Sequence, residues 1–431
     1  MKKIGIASVV SLIFSIFINL SNAQAMNGDL LIGVGPTSRA MGGVGIASPQ
    51  DTISANYSNP AAMCFGASCM ESEFDFGATL LMPYPDTKII IGNNTLSSDS
   101  EKKVYTLPAI GLSVPLSSKP TLWRFGFAAF CVSGLGVDYR DTDIDNSKYY
   151  DLSALYGQPA GTVTASLASG TFTHLQIMKF APSISFQPTE KLSLGIALHI
   201  DYGMLDLQNG VSSNYGIGGQ LGLLYKINEY LSVGATYITP NAITYKNVID
   251  LDSNGKDDDL KIESPQQIGI GLAVTPVKDK VLLEVDLKWI NWENAEGYGD
   301  FGFDNQVVIA LGIQYKPTDN LSLRLGYNYG ENPVKEHNGF SGFTTTNVQG
   351  KSMPTYYYET FRIIGMPTIT EHHLSGGVGY EFSKRFKCNA GYVNGFKNTV
   401  KENGTDIMGN AASLESSVSG DTIEFGLTWL F

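Results

Sequence analysis

Asp250, Asp252 and Asn254, followed by Gly255 and then by Asp257, Asp258 and Asp259, are spaced like the opening of a calcium loop. Such a loop closes on a bidentate glutamate at its twelfth position, where this chain has Lys261. The run therefore reads as a solvated acidic loop, and no metal is assigned. His372 and His373 have no carboxylate at metal-ligand spacing. His199 and Asp201 share one side of a strand-like run, but no nucleophile-elbow serine accompanies them, so no catalytic residue is assigned. The glycines between 33 and 45 neither follow a strand nor open a helix of a βαβ unit, which argues against a nucleotide loop; no cofactor is expected. Cys64 and Cys69 either close a small disulfide in an oxidising compartment or stay free, a matter of loop geometry, and Cys131 and Cys388 fall in separate strand-like runs. Lys288 and Arg324 share the parity of polar positions in their runs. Either they meet a polar group of a ligand or they pair with neighbours such as Glu284 and Asp286.

These residues must be held by something, and the N-terminus shows where. Lys2 and Lys3 precede an apolar stretch that ends in Ala23-Gln24-Ala25, the pattern of a secretory signal peptide cleaved after Ala25. No cysteine follows to carry a lipid anchor. No later stretch has the roughly 18 consecutive apolar residues of a helical span. Glycine is abundant (47 of 431 residues) and mean hydropathy is near zero, as expected where strands alternate apolar and polar residues. The formal net charge of −12, with no basic patch, excludes a nucleic-acid partner.

About fourteen strand-like runs follow, near 72–82, 105–115, 122–138, 172–187, 191–206, 216–227, 230–243, 265–276, 280–293, 305–316, 320–330, 371–383, 386–397 and 421–431. In the last, Ile423, Phe425, Leu427, Trp429 and Phe431 alternate with Thr422, Glu424, Gly426 and Thr428. In 321–329 the leucines and tyrosines alternate with Ser322, Arg324, Gly326 and Asn328. One face is apolar and the other small or polar, which predicts lipid outside and lumen inside. Tight turns near 117–120, 188–191, 228–229, 278–279, 317–319 and 383–384 alternate with long segments at 83–104, 139–171, 207–215, 244–264, 294–304, 331–370 and 398–420. That is the periplasmic-turn and extracellular-loop pattern of an outer-membrane barrel, all-β and antiparallel. A β-sandwich would not need such regular connections, and no blade-length repeat suggests a propeller. Trp123 and Trp429, and at the other end Trp289 and Trp292, are expected in interfacial girdles.

Before the strands lies 27–63, broken by Pro36, Pro49 and Pro60 and by many glycines, yet studded with Ile32, Val34, Met41, Val44, Ile46 and Ile53. Too apolar for a solvated linker and too interrupted for a strand, it suits a compact body inside a larger shell.

Three places resemble the FadL family of outer-membrane channels for long-chain fatty acids and aromatic hydrocarbons. The first is the R-x-M-G-G-x-G-I-A core at 39–47 with Arg39, Met41, Gly42, Gly43 and Gly45, together with Asn59-Pro60-Ala61; it is similar to the family's N-terminal hatch. The second is the third run, with its Gly134-Leu135-Gly136-Val137-Asp138-Tyr139 tail, which resembles a kinked strand. The third is LKWINWEN at 287–294. The resemblance implies a hatch at 26–70 plugging a barrel at 71–431. It implies passive uptake of a hydrophobic small molecule caught by outer loops, and lateral exit into the outer leaflet at Gly134, Leu135 and Gly136. It also implies a monomer inserted by the barrel assembly machinery, which reads a C-terminal strand ending in Phe431, among outer-membrane lipid and lipopolysaccharide. The opening sequence looks more like the aromatic-hydrocarbon branch, and no basic residue carries over as a carboxylate partner. The alternatives are a barrel enzyme acting on lipids and a general porin.

Overall fold

The computed structural model describes residues 26–64, 71–116, 123–145, 149–151, 153, 157–162 and 164–431. The expected signal peptide at 1–25 and Cys69, with it the question of a Cys64–Cys69 bridge, lie outside the described residues.

Fourteen strands form the wall: β1 (Glu73–Ile91), β2 (Tyr105–Pro115), β3 (Trp123–Asp138), β4 (Phe172–Thr189), β5 (Leu192–Asp206), β6 (Ser212–Lys226), β7 (Leu231–Ile238), β8 (Gln267–Val277), β9 (Val281–Ile290), β10 (Gln306–Thr318), β11 (Leu321–Gly330), β12 (His372–Ser383), β13 (Phe386–Thr405) and β14 (Ala411–Leu430). Each pairs antiparallel with the next, and β14 pairs with β1 from Leu430↔Glu73 to Ala412↔Ile91, so the sheet closes. Closure gives every wall strand a partner on both sides, as an apolar medium requires, where unpaired backbone groups are costly.

The period-2 pattern sorts the faces as the sequence predicts. On β14 Ile423, Phe425, Leu427 and Trp429 are exposed, while Thr422, Glu424 and Thr428 are buried. The same outward row continues over β5, β8, β9 and β10 with Leu194, Ile196, Leu198, Ile268, Ile270, Leu272, Val285, Leu287, Ile309 and Leu311. Such a continuous apolar belt is built for lipid.

The long connections differ from the expected loops. The segment 398–420 is mostly ladder: β13 and β14 stay paired out to Thr405↔Ala411 across an irregularity between Gly395 and Asn398. β1 likewise runs on to Ile91, and Asn94–Asp99 pairs back onto it. Beyond the lipid both faces of a strand meet water or protein, so alternation fades and the strands look like loops in sequence. The seventh run stops at Ile238, and Asn241–Ile249 pairs with Asp258–Ser264 as a separate hairpin. Trp292 is not in a girdle. It is fully buried among Tyr298 and Phe303, with its Nε1 donating to Gln306 Oε1 at 3.2 Å. Trp123 and Trp429 are exposed at the short-turn end.

Inside the wall lies the segment 26–64. Met26–Asn27 pairs with Leu30–Leu31, followed by α1 (Pro36–Ala40), α2 (Thr52–Ser58) and a 3-10 turn at Pro60–Cys64. Asp51 caps α2 through Ser54 N at 2.7 Å, with Ser54 Oγ in reciprocal contact. Every residue from 26 to 47 is buried.

Candidate functional site

The inner segment is fastened by lumen-facing side chains. Asp286 on β9 accepts from Gly45 N at 2.9 Å and Ile46 N at 3.1 Å; Glu284, two residues earlier, accepts from Ala47 N at 2.8 Å and Ser48 N at 2.9 Å. Thr52 N at the start of α2 donates to Glu73 (2.8 Å) and Asp75 (2.7 Å) of β1. Arg39, wholly buried, forms an ion pair with Glu424 and reaches Thr422 Oγ1 and Gly33 O, both at 3.2 Å. Gly42 N donates to Ser375 Oγ at 2.9 Å, and Asn328 Nδ2 donates to Gly42 O at 2.9 Å. Asn59 Nδ2 reaches Ile46 O (2.8 Å) and Leu223 O (3.0 Å), and Ser193 Oγ donates to Ala61 O at 2.6 Å. Charge-assisted bonds to backbone N–H groups are the strong kind, and their net worth rises where water is excluded.

The wall makes room for this body with glycine. A Cβ on Gly326 would strike the backbone of Met41 and Gly42, one on Gly234 the carbonyl of Ile46, and one on Gly195 the Pro60–Ala61 peptide. Met41 and Gly43 belong to the same contact: Met41 packs over Gly312, and Gly43 accepts Lys288 Nζ at 3.4 Å. Lys288 lies 5.9 Å from the centre of the Tyr57 ring. Arg324 donates to Gln314 Oε1 at 2.8 Å and Asn389 Oδ1 at 2.9 Å. Both cations sit on the lumen side, but they meet the inner segment and neighbouring amides, while Glu284 and Asp286 serve the N–H groups of 45–48.

The ladder between β2 and β3 is incomplete. β2 and β3 pair only from Pro115↔Arg124 to Ala109↔Phe130. Above that, Tyr105 to Pro108 of β2 pair with β1, and β3 continues to Asp138 paired with β4. Pro108 has no N–H to lose there. Glu101 N to Asp138 O, 2.8 Å, rejoins the two sides. β3 is irregular between Cys131 and Ser133, just before Gly134, Leu135 and Gly136, which pair with Gln176, Leu175 and His174. A Cβ on Gly134 would meet nothing within 4 Å; one on Gly136 would strike the Tyr105 hydroxyl. From inside, Leu30 bridges to Ser133, and the Asp29 carboxylate accepts the hydroxyls of Ser133 and Tyr298.

Behind the break is a small cavity of about 30 Å³ lined by Leu30, Tyr57, Phe130, Val132, Lys179 and His199. Lys179 Nζ lies 2.9 Å from Asp201 and 3.1 Å from His199 Nδ1. The histidine and aspartate noted in sequence are thus clasped by an ammonium. A wider pocket of about 330 Å³ opens between outer loops, lined by residues including Phe172, Leu207, Ile249, Met353 and Tyr357. In the acidic loop Lys351 bridges Asp252 (3.5 Å) and Asp258 (2.7 Å), and Asp250 accepts from Asn254 N and Gly255 N.

From sequence, Glu284 and Asp286 are named only as partners for Lys288 and Arg324, and Glu73, Asp75, the Glu424 partner of Arg39, and Lys179 are not singled out. Their signal was present as ionisable residues at lumen-parity positions of otherwise apolar strands, which in a membrane protein marks a buried partner.

No protein-family model matches the chain. A 47 kDa outer membrane protein of Pasteurella multocida (strain Pm70) is 23% identical over 230 residues, 46% of this chain, and the match spans 48% of that protein, about half its length. Among solved structures, the Pseudomonas putida toluene transporter TodX matches with a TM-score of 0.62 at 18% identity, covering 93% of this chain and 99% of that one. A Pseudomonas aeruginosa FadL homologue matches at 0.67 and 15%, with the same coverage. The monoaromatic hydrocarbon channel CymD matches at 0.54 and 17%, covering 94% and 99%. With its closed fourteen-stranded wall, apolar belt and filled lumen, the chain has the fold of the FadL-type outer-membrane channels.

Proposed function

We propose that this chain is an outer-membrane channel for the passive uptake of hydrophobic small molecules, long-chain fatty acids or aromatic hydrocarbons, with 26–64 as a hatch and exit through the side of the barrel at β3. The observation that carries the reading is the pair of unladdered edges, Tyr105 to Pro108 on β2 and the stretch of β3 after Phe130, beside a lumen that the inner segment otherwise fills. A straight aqueous pore does not fit a lumen so occupied. An apolar solute gains about 0.8 kcal/mol per CH₂ removed from water, so bilayer entry is downhill and the polar outer layer is the obstacle. A route from the loop pocket to the cavity behind Val132, and out beside Gly134, never releases the solute into the periplasm. Similarity to a toluene transporter and to a monoaromatic hydrocarbon channel supports a hydrophobic ligand.

The test is transport by the purified protein in liposomes made with lipopolysaccharide in the outer leaflet. Radiolabelled toluene and oleate are expected to enter faster than in empty vesicles, while sugars cause no swelling. Rapid sugar swelling would establish a porin instead, and release of fatty acid from added phospholipid would establish a lipid-cleaving enzyme.

A further inference from the structure

The gap in the β2–β3 ladder is framed at both ends. Toward the short turns, the ladder resumes at Ala109↔Phe130. At the outer end, ties gather on Asp138, whose side chain is 5% exposed. Its carbonyl accepts from Glu101 N at 2.8 Å, and its N–H donates to Ser100 Oγ at 2.9 Å. Its carboxylate accepts Lys103 Nζ at 2.6 Å from the β1–β2 connection, and Arg140 Nε at 2.8 Å from the chain beyond β3. Ser100 N in turn donates to Pro85 O on β1 at 2.9 Å. Charge-assisted bonds to an enclosed carboxylate are strong, so this frame is the fixed part of the opening.

Between these ends a side chain crosses the opening. Tyr105 belongs to the β1–β2 side, where it pairs with Leu81. Its phenol reaches the other side and ends on Gly136 of β3, where a Cβ would strike the hydroxyl and lie 3.1 Å from Cζ. Its ring centre is 5.9 Å from that of His174, the register partner of Gly136 on β4. Gly136 thus works as a seat for the phenol, a role distinct from bending the strand, since it stays in register with β4. A Cβ on Gly134 would meet nothing within 4 Å, so open space lies beside the seated ring. A rotamer change of one tyrosine clears the opening with every ladder bond intact, whereas widening the frame breaks the ties on Asp138. Building on the side-exit reading above, we infer that Tyr105 sets the width of the exit, with Gly136 as its seat. Single-ring and single-chain solutes pass beside Gly134, and broad polycyclic ones are held back.

The experiment compares entry of radiolabelled toluene and of the broader, polycyclic pyrene into proteoliposomes, with empty vesicles as the partition blank. Tyr105→Ala is expected to raise the pyrene-to-toluene entry ratio at least about fivefold, and Tyr105→Phe, which keeps the ring, to leave it within about twofold of the parent. Gly136→Ala keeps the phenol but removes its seat, so it should raise the ratio as well. Combined with Tyr105→Ala it should add nothing, because the two act through one contact. A merely structural loss would slow both solutes together. An unchanged ratio in Tyr105→Ala, with Gly134→Trp still stopping both solutes, would overturn the role of Tyr105 and leave the side exit standing. A raised ratio that persists when Gly134→Trp is added would overturn both. Entry of neither solute above the blank through the parent would overturn the channel reading and this one with it. If Tyr105→Ala does not give a heat-modifiable barrel, Gly136→Ala against the parent decides the matter, an unchanged ratio again overturning the role of Tyr105.

Discussion

Arg39 and Glu424 form an ion pair with no solvent contact at either side chain, joining α1 inside the lumen to the last wall strand. A pair so enclosed constrains its neighbours in a way that surface pairs do not, because neither charge has water to fall back on.

Removing one partner should therefore be severe. Arg39→Ala leaves Glu424 buried with only Thr79 Oγ1 donating to it, and should cost about 3–5 kcal/mol in urea unfolding from lipid vesicles. Replacing both, as Arg39→Met with Glu424→Leu, should recover most of that loss, since a buried pair is often matched by apolar residues of similar volume. Equal losses in the single and double variants would mean that the pair does not hold the inner segment.

The glycines of the wall give a second contrast. Gly326→Ala drives a methyl into the Met41–Gly42 backbone and should destabilise by about 1–3 kcal/mol, the usual cost of overpacking. Gly134→Ala meets open space and should stay within about 0.5 kcal/mol of the parent. Chemical unfolding of the two variants side by side checks both.

Gly134→Trp tests the break itself. The new Cβ has nothing within 4 Å, and the indole is expected to extend beside the mouth of the break without unfolding the wall. Toluene or oleate entry into proteoliposomes should fall at least about tenfold (about 1.4 kcal/mol on the rate-limiting step), with the heat-modifiable shift on gels unchanged. Undiminished entry would move the exit elsewhere.

The outer loops should respond to acid. Burial pushes the Glu359 carboxyl up, but the hydrogen bond from His337 and the Arg362 guanidinium outweigh it and hold the group below its usual value. For a carboxyl depressed on folding, the stabilisation is present above its unfolded pKa of about 4.3 and is lost as pH falls through the folded value. Pepsin nicking of the 331–370 region should therefore rise below about pH 4. Glu359→Gln should flatten that dependence and leave the region more readily nicked at every pH.

Much of the wall could be read directly, because lipid on one side and a polar lumen on the other force opposite residues onto alternate positions. Leu321 to Asn328 and Thr422 to Trp429 carry that signature residue by residue. Where lipid ends, the sorting ends, so the upper ladder of β13 and β14 looked like a loop. Trp292 was misplaced for a related reason: an aromatic near a strand end suits an interface or a folded loop core equally well, and only the positions of Tyr298 and Phe303 decide. Within the site, the Gly- and Pro-broken run at 27–63 announced a packed inner body. The partners it would choose could not be read, because Glu284 and Asp286 face 45–48 only through a register that no local pattern encodes. Lys179 was hidden for the same reason, since its meaning comes from His199 and Asp201 on the adjoining strand.

The inner segment also straddles the seam where the sheet closes. Thr52 is held by Glu73 and Asp75 on β1, whereas Arg39 reaches Thr422 on β14, 383 positions further along. Contacts that span most of a chain form late, because the loop they close must be ordered first. Residues near the start of the polypeptide must wait for its final strand before they can settle. A seated inner segment is then a built-in record that the barrel has finished closing. Protease protection at 36–58, followed over time during refolding, would report the moment of closure rather than the moment of membrane insertion.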